Sequence, residues 1–157
     1  MAGYRYRPVT PGDLALICRH RREMFRESGR PDGVLQPMTS LFEPWLAKRL
    51  ADGSYFGWIA EREGEPIGGL GMMVVDWPPH PAHPHEDRRG YILNVFVEAE
   101  HRSAGVARTL MDMAEAEGRL RGIGYMFLHA TETARPMYER RGWRGTTEMS
   151  IGLFRET

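Results

Sequence analysis

An α/β architecture, an α+β mixed sheet, is the fold class predicted by the order of apolar patterns along this chain. Three observations carry it. Stretches of strand length with alternating or continuous apolar residues recur at residues 55–62, 67–77, 91–97 and 122–130. Helical stripes bounded by capping residues lie before and between them. The middle of the chain reads strand, small-residue loop, helix, strand. At 157 residues the chain is long enough to bury a core and is read as a single domain, 1–157, with no internal repeat.

The elements follow in order. Tyr4 to Val9 alternates aromatic residues with Arg, as a short first strand does. Thr10-Pro11-Gly12-Asp13 is a helix start, with Thr as N-cap, Pro at the first position and Asp at the third. That helix turns Leu14, Ile17, Cys18, Met24 and Phe25 inward and ends near Gly29, and Arg19, Arg21, Arg22 and Arg26 lie along it. Those arginines form either a solvated face or a contact for an acidic substrate or partner. Gly29 to Thr39 is rich in Gly and Pro and reads as a loop. A second helix is expected from Ser40 as N-cap, with Glu43 at its third position, Leu41, Trp45 and Leu50 inside, and Gly53 as its stop.

Tyr55 to Arg62 and Ile67 to Trp77 form a hairpin about the turn Glu63-Gly64-Glu65-Pro66. Gly68, Gly69 and Gly71 weaken its second strand unless something packs closely against their backbone. Trp77 to Arg89 carries four prolines with His80, His83 and His85. This stretch presents no fixed helix or strand face and no cysteine, so a mobile loop over a substrate site is preferred to a metal centre. Gly122 to Ala130 reads as a strand with Tyr125, Phe127 and His129 on one side. Thr131 to Arg141 reads as a turn and short helix with Thr133 as N-cap, and Trp143 to Leu153 as one or two final strands.

Composition limits the function classes. Net charge is zero, so neither nucleic acid nor an anionic membrane is implied. Cys18 is the only cysteine and lies on an apolar helix face, which makes it a core residue in a reducing compartment. No apolar run reaches membrane-spanning length and no signal pattern opens the chain, so a cytoplasmic location is expected.

The chain is organised around Tyr91 to Leu120. The strand YILNVFV passes through a polar loop into a helix with Val106, Ala107, Leu110, Met111 and Ala114 on one face. The first amides of such a helix lack partners, and its dipole makes that end partly positive. Small residues at Ser103, Ala104, Gly105 and Ala107 let an anion approach the backbone, a plausible cradle for a pyrophosphate. It is not a P-loop, because Lys48 is the only lysine, and it lacks the spacing of a dinucleotide fingerprint.

R-S-A-G-V-A, between a strand and a helix, resembles the Q/R-x-x-G-x-G/A loop of the GNAT N-acetyltransferase superfamily. Ala134 to Trp143, ARPMYERRGW, resembles that family's A-x-x-x-Y-E-x-x-G-F segment. The likeness extends from about Tyr4 to Leu153. It implies the GNAT acyl-CoA N-acyltransferase fold, β-α-α-β-β-β-α-β-α-β with room for one more strand. It implies an acyltransferase that moves an acetyl group from acetyl-CoA directly to an amine of a small molecule or peptide, with no metal. The alternative is a GNAT-like module that binds acyl-CoA with weak or no catalysis.

By that resemblance the pyrophosphate lies on the backbone of Arg102, Ser103, Ala104, Gly105, Val106 and Ala107. Phe96 and Val97 flank the pantetheine arm where the strand splays from its neighbour, and an amide near Val97 donates to the thioester oxygen. Thr131 stands where relatives often carry an Asn that touches the cofactor. Tyr138 matches the family's general acid: a phenol of pKa about 10 suits a leaving thiolate of pKa about 8–9. Phe25, Leu35 and Phe42 either line the acceptor pocket or pack. Many relatives place a basic Glu where this chain has Leu93, which leaves the base open among His129, Asp76, Glu86, Asp87 and the loop histidines. Relatives often dimerise through C-terminal strands, which makes Trp143 to Leu153 the expected homodimer surface.

Overall fold

A computed structural model describes residues 3–154. Strand β1 (Tyr4–Pro8) leads through a 3₁₀ turn into α1 (Leu14–Glu27) and α2 (Asp32–Asp52). Strands β2 (Phe56–Arg62), β3 (Glu65–Asp76) and β4 (Arg88–Val97) follow, then α3 (Val106–Leu120), β5 (Met126–Phe127) and α4 (Arg135–Arg140). The five strands lie in sequence order in one sheet, antiparallel from β1 to β4, with β5 parallel to β4. The mixed sheet and the element order through α4 agree with the sequence reading.

The sheet separates two cores. On one face α3 lays Val106, Leu110, Met111 and Ala114 against Leu70, Met72, Ile92 and Val97, with Tyr138 in the same cluster. On the other, α1 and α2 bring Ile17, Cys18, Phe42, Leu46 and Leu50 against Tyr55, Ile59 and Leu93. Local chemistry fixes the joints. The Asp13 carboxylate accepts the Thr10 amide at 2.8 Å, closing the predicted cap, and holds both ends of the Arg7 guanidinium at 2.8 and 2.9 Å. Glu63 and Gly64 both have positive φ, 53° and 83°, the geometry of a two-residue hairpin turn.

Several sequence expectations are corrected. The second helix begins at Asp32, so most of the expected loop is helical and Ser40 lies inside it. Ser40 Oγ donates back to the Gln36 carbonyl at 3.0 Å instead of capping. Its inner face also differs from expectation: Leu41 is exposed, Leu35, Phe42, Leu46 and Leu50 are buried, and Trp45 packs at the margin of the same core. Thr131, rather than Thr133, receives the Ala134 amide, at 3.2 Å.

The strand expected over Gly122 to Ala130 is paired only at Met126–Phe127, although its two faces are as expected. Residues 143–154 form no strand among the described residues, because no edge within the chain pairs with them. The Pro-rich loop packs at the start of β4, the end remote from Val97. There Trp77 faces Phe127, His83 faces Tyr125 and Glu86 Oε1 accepts the Gly124 amide, so it does not cover the Val97 end.

Candidate active site

The site begins with an irregularity in β4. Gly69 pairs with Phe96 and Gly71 with Leu93, so β4 carries one extra residue opposite Leu70. Asn94 absorbs it with φ of 55°. The bulge breaks the strand's alternation. Leu93 and Asn94 both turn toward α1 and α2, and the following residues resume the alternation, with Phe96 on the His20 side and Val97 on the α3 side.

The second feature is an opening. β5 pairs with β4 only at Gly90–Met126 and Tyr91–Phe127, while β4 continues to Val97. From Ile92 onward that side of β4 has no strand beside it among the described residues. The Glu98 amide donates to the Ile67 carbonyl at 2.8 Å, on the β3 side. Successive amides of a strand point in opposite directions, so the Val97 amide faces the opening. Phe96 and Val97 are buried on either side of the sheet at this end.

Beyond Val97 lies the Arg102–Ala107 loop. Ser103 and Gly105 have φ of 66° and 83°, left-handed conformations of the kind that occur in anion-binding nests. The Arg102 amide is used by Ala99 and the Thr109 amide by Gly105; those of residues 103–108 have no acceptor among the described residues. The Arg102 side chain is turned back: Nε donates to the Val97 carbonyl at 2.8 Å and Nη2 to both Glu27 oxygens, at 2.8 and 2.7 Å. It braces the loop rather than reaching outward.

Tyr138 stands on α4, buried, its ring tilted toward Trp143 at 6.3 Å. Burial raises its phenol above the ordinary value, which keeps it protonated at neutral pH. Thr131 Oγ1 is occupied by the Ala134 amide. Between α3 and α4 lies a recess lined by Arg108, Met137, Arg140 and Arg141. Arg141 is held by Asp112 and Glu115 at 2.6 and 2.9 Å, whereas Arg108 and Arg140 form no ion pair among the described residues. Sequence reading missed this basic recess, because Arg108 lies in the first turn of α3 while Met137, Arg140 and Arg141 lie on or just after α4, and only the fold joins them. An opening beside a strand, a row of free amides at its end and a buried protonated phenol nearby suit a long anionic thioester and its leaving thiolate.

The acetyltransferase (GNAT) family model matches residues 17–143. The chain belongs to the GNAT acetyltransferase family. A GCN5-related N-acetyltransferase from Ralstonia eutropha JMP134 is 53% identical, with a TM-score of 0.94 over 96% of this chain and 99% of that one. A predicted acetyltransferase with acetyl-CoA from Clostridium acetobutylicum is 27% identical, with a TM-score of 0.81 over 96% and 97%. Human N-acetyltransferase 8 is 28% identical over 112 residues, 69% of this chain and 45% of that protein; the chain thus spans under half the length of this relative.

This GNAT chain departs from the family pattern at the base. Leu93 is buried in the α1–α2 core. Asn94 spends its amide on Arg21 and Tyr55, at 2.7 and 3.0 Å. His129 is exposed past the end of β5, with Nδ1 3.4 Å from the Tyr91 hydroxyl and Nε2 3.5 Å from Glu148. Asp76, Glu86, Asp87 and the loop histidines lie at or near the loop preceding β4. His83 Nε2 accepts from Arg89 at 3.0 Å, a poor setting for a metal ligand, and no group of three or more metal-binding side chains is gathered among the described residues. No helix described is long and apolar enough to cross a membrane.

Proposed function

We propose that residues 1–157 act as a single GNAT domain that transfers an acetyl group from acetyl-CoA directly to an amine of a small molecule or peptide. The observation that carries this reading is the continuity between the open side of β4 and the amides of residues 103–108, which have no acceptor among the described residues. The backbone of Ser103, Ala104, Gly105, Val106 and Ala107 receives the pyrophosphate, Arg102, whose own amide is taken by the Ala99 carbonyl, braces that loop through Val97 and Glu27, and Arg108 and Arg140 take the phosphate at the adenosine end. The pantetheine arm lies beside Phe96 and Val97, and Thr131 borders it. When bound, acetyl-CoA supplies the activated acyl group.

Each residue has a limited task. The Val97 amide donates to the thioester oxygen and stabilises charge that develops there as the amine attacks. Tyr138 donates its proton to the departing sulfur. His129, oriented by Glu148, takes the amine's proton. The retained phenol and this imidazole favour an enzyme over a non-catalytic acyl-CoA module.

Release of free thiol from acetyl-CoA across a panel of amines tests the reading, with Tyr138→Phe and His129→Gln as variants. Each is expected to lower kcat about 100-fold while acetyl-CoA still raises the melting temperature. Acetyl-CoA binding with no turnover on any amine would establish the module instead.

We further propose that two copies pair through residues 145–154. Met149, Ile151, Leu153 and Phe154 are 79–93% exposed, and the first three alternate as on a strand. β5 leaves an open sheet edge on the same molecule. The arm and the edge are complementary and present on every copy, which a two-fold pairing satisfies.

A further inference from the structure

Building on the acetyltransferase reading, we propose that Arg21 anchors a carboxylate on the acceptor, so that the amine acetylated is one that also carries a carboxylate. Of the four arginines on α1, three face acids: Arg19 meets Glu98 at 2.8 Å, Arg22 meets Glu23 at 4.0 Å, and Arg26 meets Glu23 and, at 3.1 Å, Asp32. Arg21 forms no ion pair among the described residues. It is also drawn inside, between the rings of Phe25 and Phe42 at 5.0 and 4.7 Å. A desolvated cation without a counter-charge is unfavourable, and an acidic ligand removes that deficit.

The geometry favours a carboxylate. Nη1 is committed to Asn94 Oδ1 at 2.7 Å, whereas Nε is buried without a partner and Nη2 makes no hydrogen bond among the described residues. Nε and Nη2 form one edge of the guanidinium, the fork that takes two carboxylate oxygens at once. A strut between helix and strand would need only Nη1 and the ring faces. A phosphate dianion would call for a second cation, and the other α1 arginines are engaged.

Position ties this fork to the acceptor. Asn94 lies at the bulge of β4, three residues before the Val97 amide that faces the opening. Tyr91 lies on the same face of the strand as Arg21, and its hydroxyl reaches His129. An acceptor spanning Tyr91 would thus have its acid at Arg21 and its amine toward His129.

The test compares amino acids with their carboxamides, with the corresponding amines lacking the acid, and with aminoalkyl phosphonates. The native protein should acetylate the acids with kcat/KM at least about tenfold above the carboxamides, and Arg21→Gln should erase that preference by raising KM about 10- to 100-fold for the acids alone. Arg21→Lys keeps the charge without the fork and should retain part of the preference. Melting shifts with acetyl-CoA should persist in both variants. Equal use of acids and carboxamides, preference for phosphonates, or a uniform loss on all amines in Arg21→Gln would each overturn the assignment. Failure of the native protein to bind acetyl-CoA would instead remove the underlying reading, and this inference with it.

Discussion

The Tyr55 hydroxyl fills the space that a side chain at Gly71 would need: a Cβ there would stand 2.0 Å from Tyr55 Oη. Tyr55 is fully enclosed, and its oxygen accepts from Asn94 at 3.0 Å, so the missing side chain on β3 and the bulge on β4 belong to one construction. Gly71→Ala must displace this ring or separate β2 from β3. The expected cost is about 3 kcal/mol, read in urea unfolding, with a melting temperature lower by roughly 6–12 °C. A loss under about 0.5 kcal/mol would show that the ring can move aside freely.

His20 gives the fold an acid limit. The imidazole lies between α1 and β4 against Phe96, with ring centroids 4.9 Å apart, and its buried Nε2 has no partner among the described residues. Burial, assisted by the Arg19 charge, lowers its pKa from 6.5 to about 4. Below pH 6.5 the unfolded chain takes up a proton that the folded chain refuses until about pH 4, so stability falls as pH falls through this window. From pH 7 to pH 5 the loss from this group is about 2 kcal/mol. His20→Leu should remove that component of the pH dependence, as measured by unfolding at both pH values. An identical pH dependence in the variant would rule out His20 as its source.

Gly105 is held by conformation rather than by space. Nothing lies within 4 Å of a Cβ placed there, but φ is 83°, a region costly for any other side chain. Gly105→Val should fold, since its neighbours on α3 keep their buried face, yet it should re-aim the loop amides. Acetyl-CoA affinity is expected to fall at least about tenfold by calorimetry. Native affinity in the folded variant would separate the loop from cofactor binding.

The regular parts of this architecture were legible because each has its own period. The α3 stripe, the hairpin turn, the Gly53 stop and the two faces around Phe127 all follow from local patterns. The bulge at Asn94 was not, because a register shift depends on the partner strand rather than on composition. Nothing in the local pattern singles out His20, and the helix arginines leave a solvated face and an acidic contact equally open, since only the position of α1 on β4 buries His20 and draws Arg21 toward Asn94. Ser40 illustrates the reverse error: a hydroxyl with a cap-like spacing to Glu43 serves equally well as a mid-helix donor to Gln36. At the site, the loop motif located the free amides, whereas the recess between α3 and α4 needed the tertiary fold.

The C-terminal arm exposes what a strand pattern means. Met149, Ile151 and Leu153 alternate as a strand does, yet they remain 93%, 81% and 79% exposed because strand structure requires a second strand. Covering such side chains is worth about 1.5–3 kcal/mol each before the cost of association is deducted, enough to hold two chains together. Native protein at tens of micromolar is therefore expected to sediment as a dimer. Replacing Ile151 and Leu153 together with Asp should yield a monomer whose thermal unfolding is otherwise intact, since neither side chain supports the core of its own chain. A monomeric native protein, or a dimer that survives the double substitution, would place the pairing surface elsewhere.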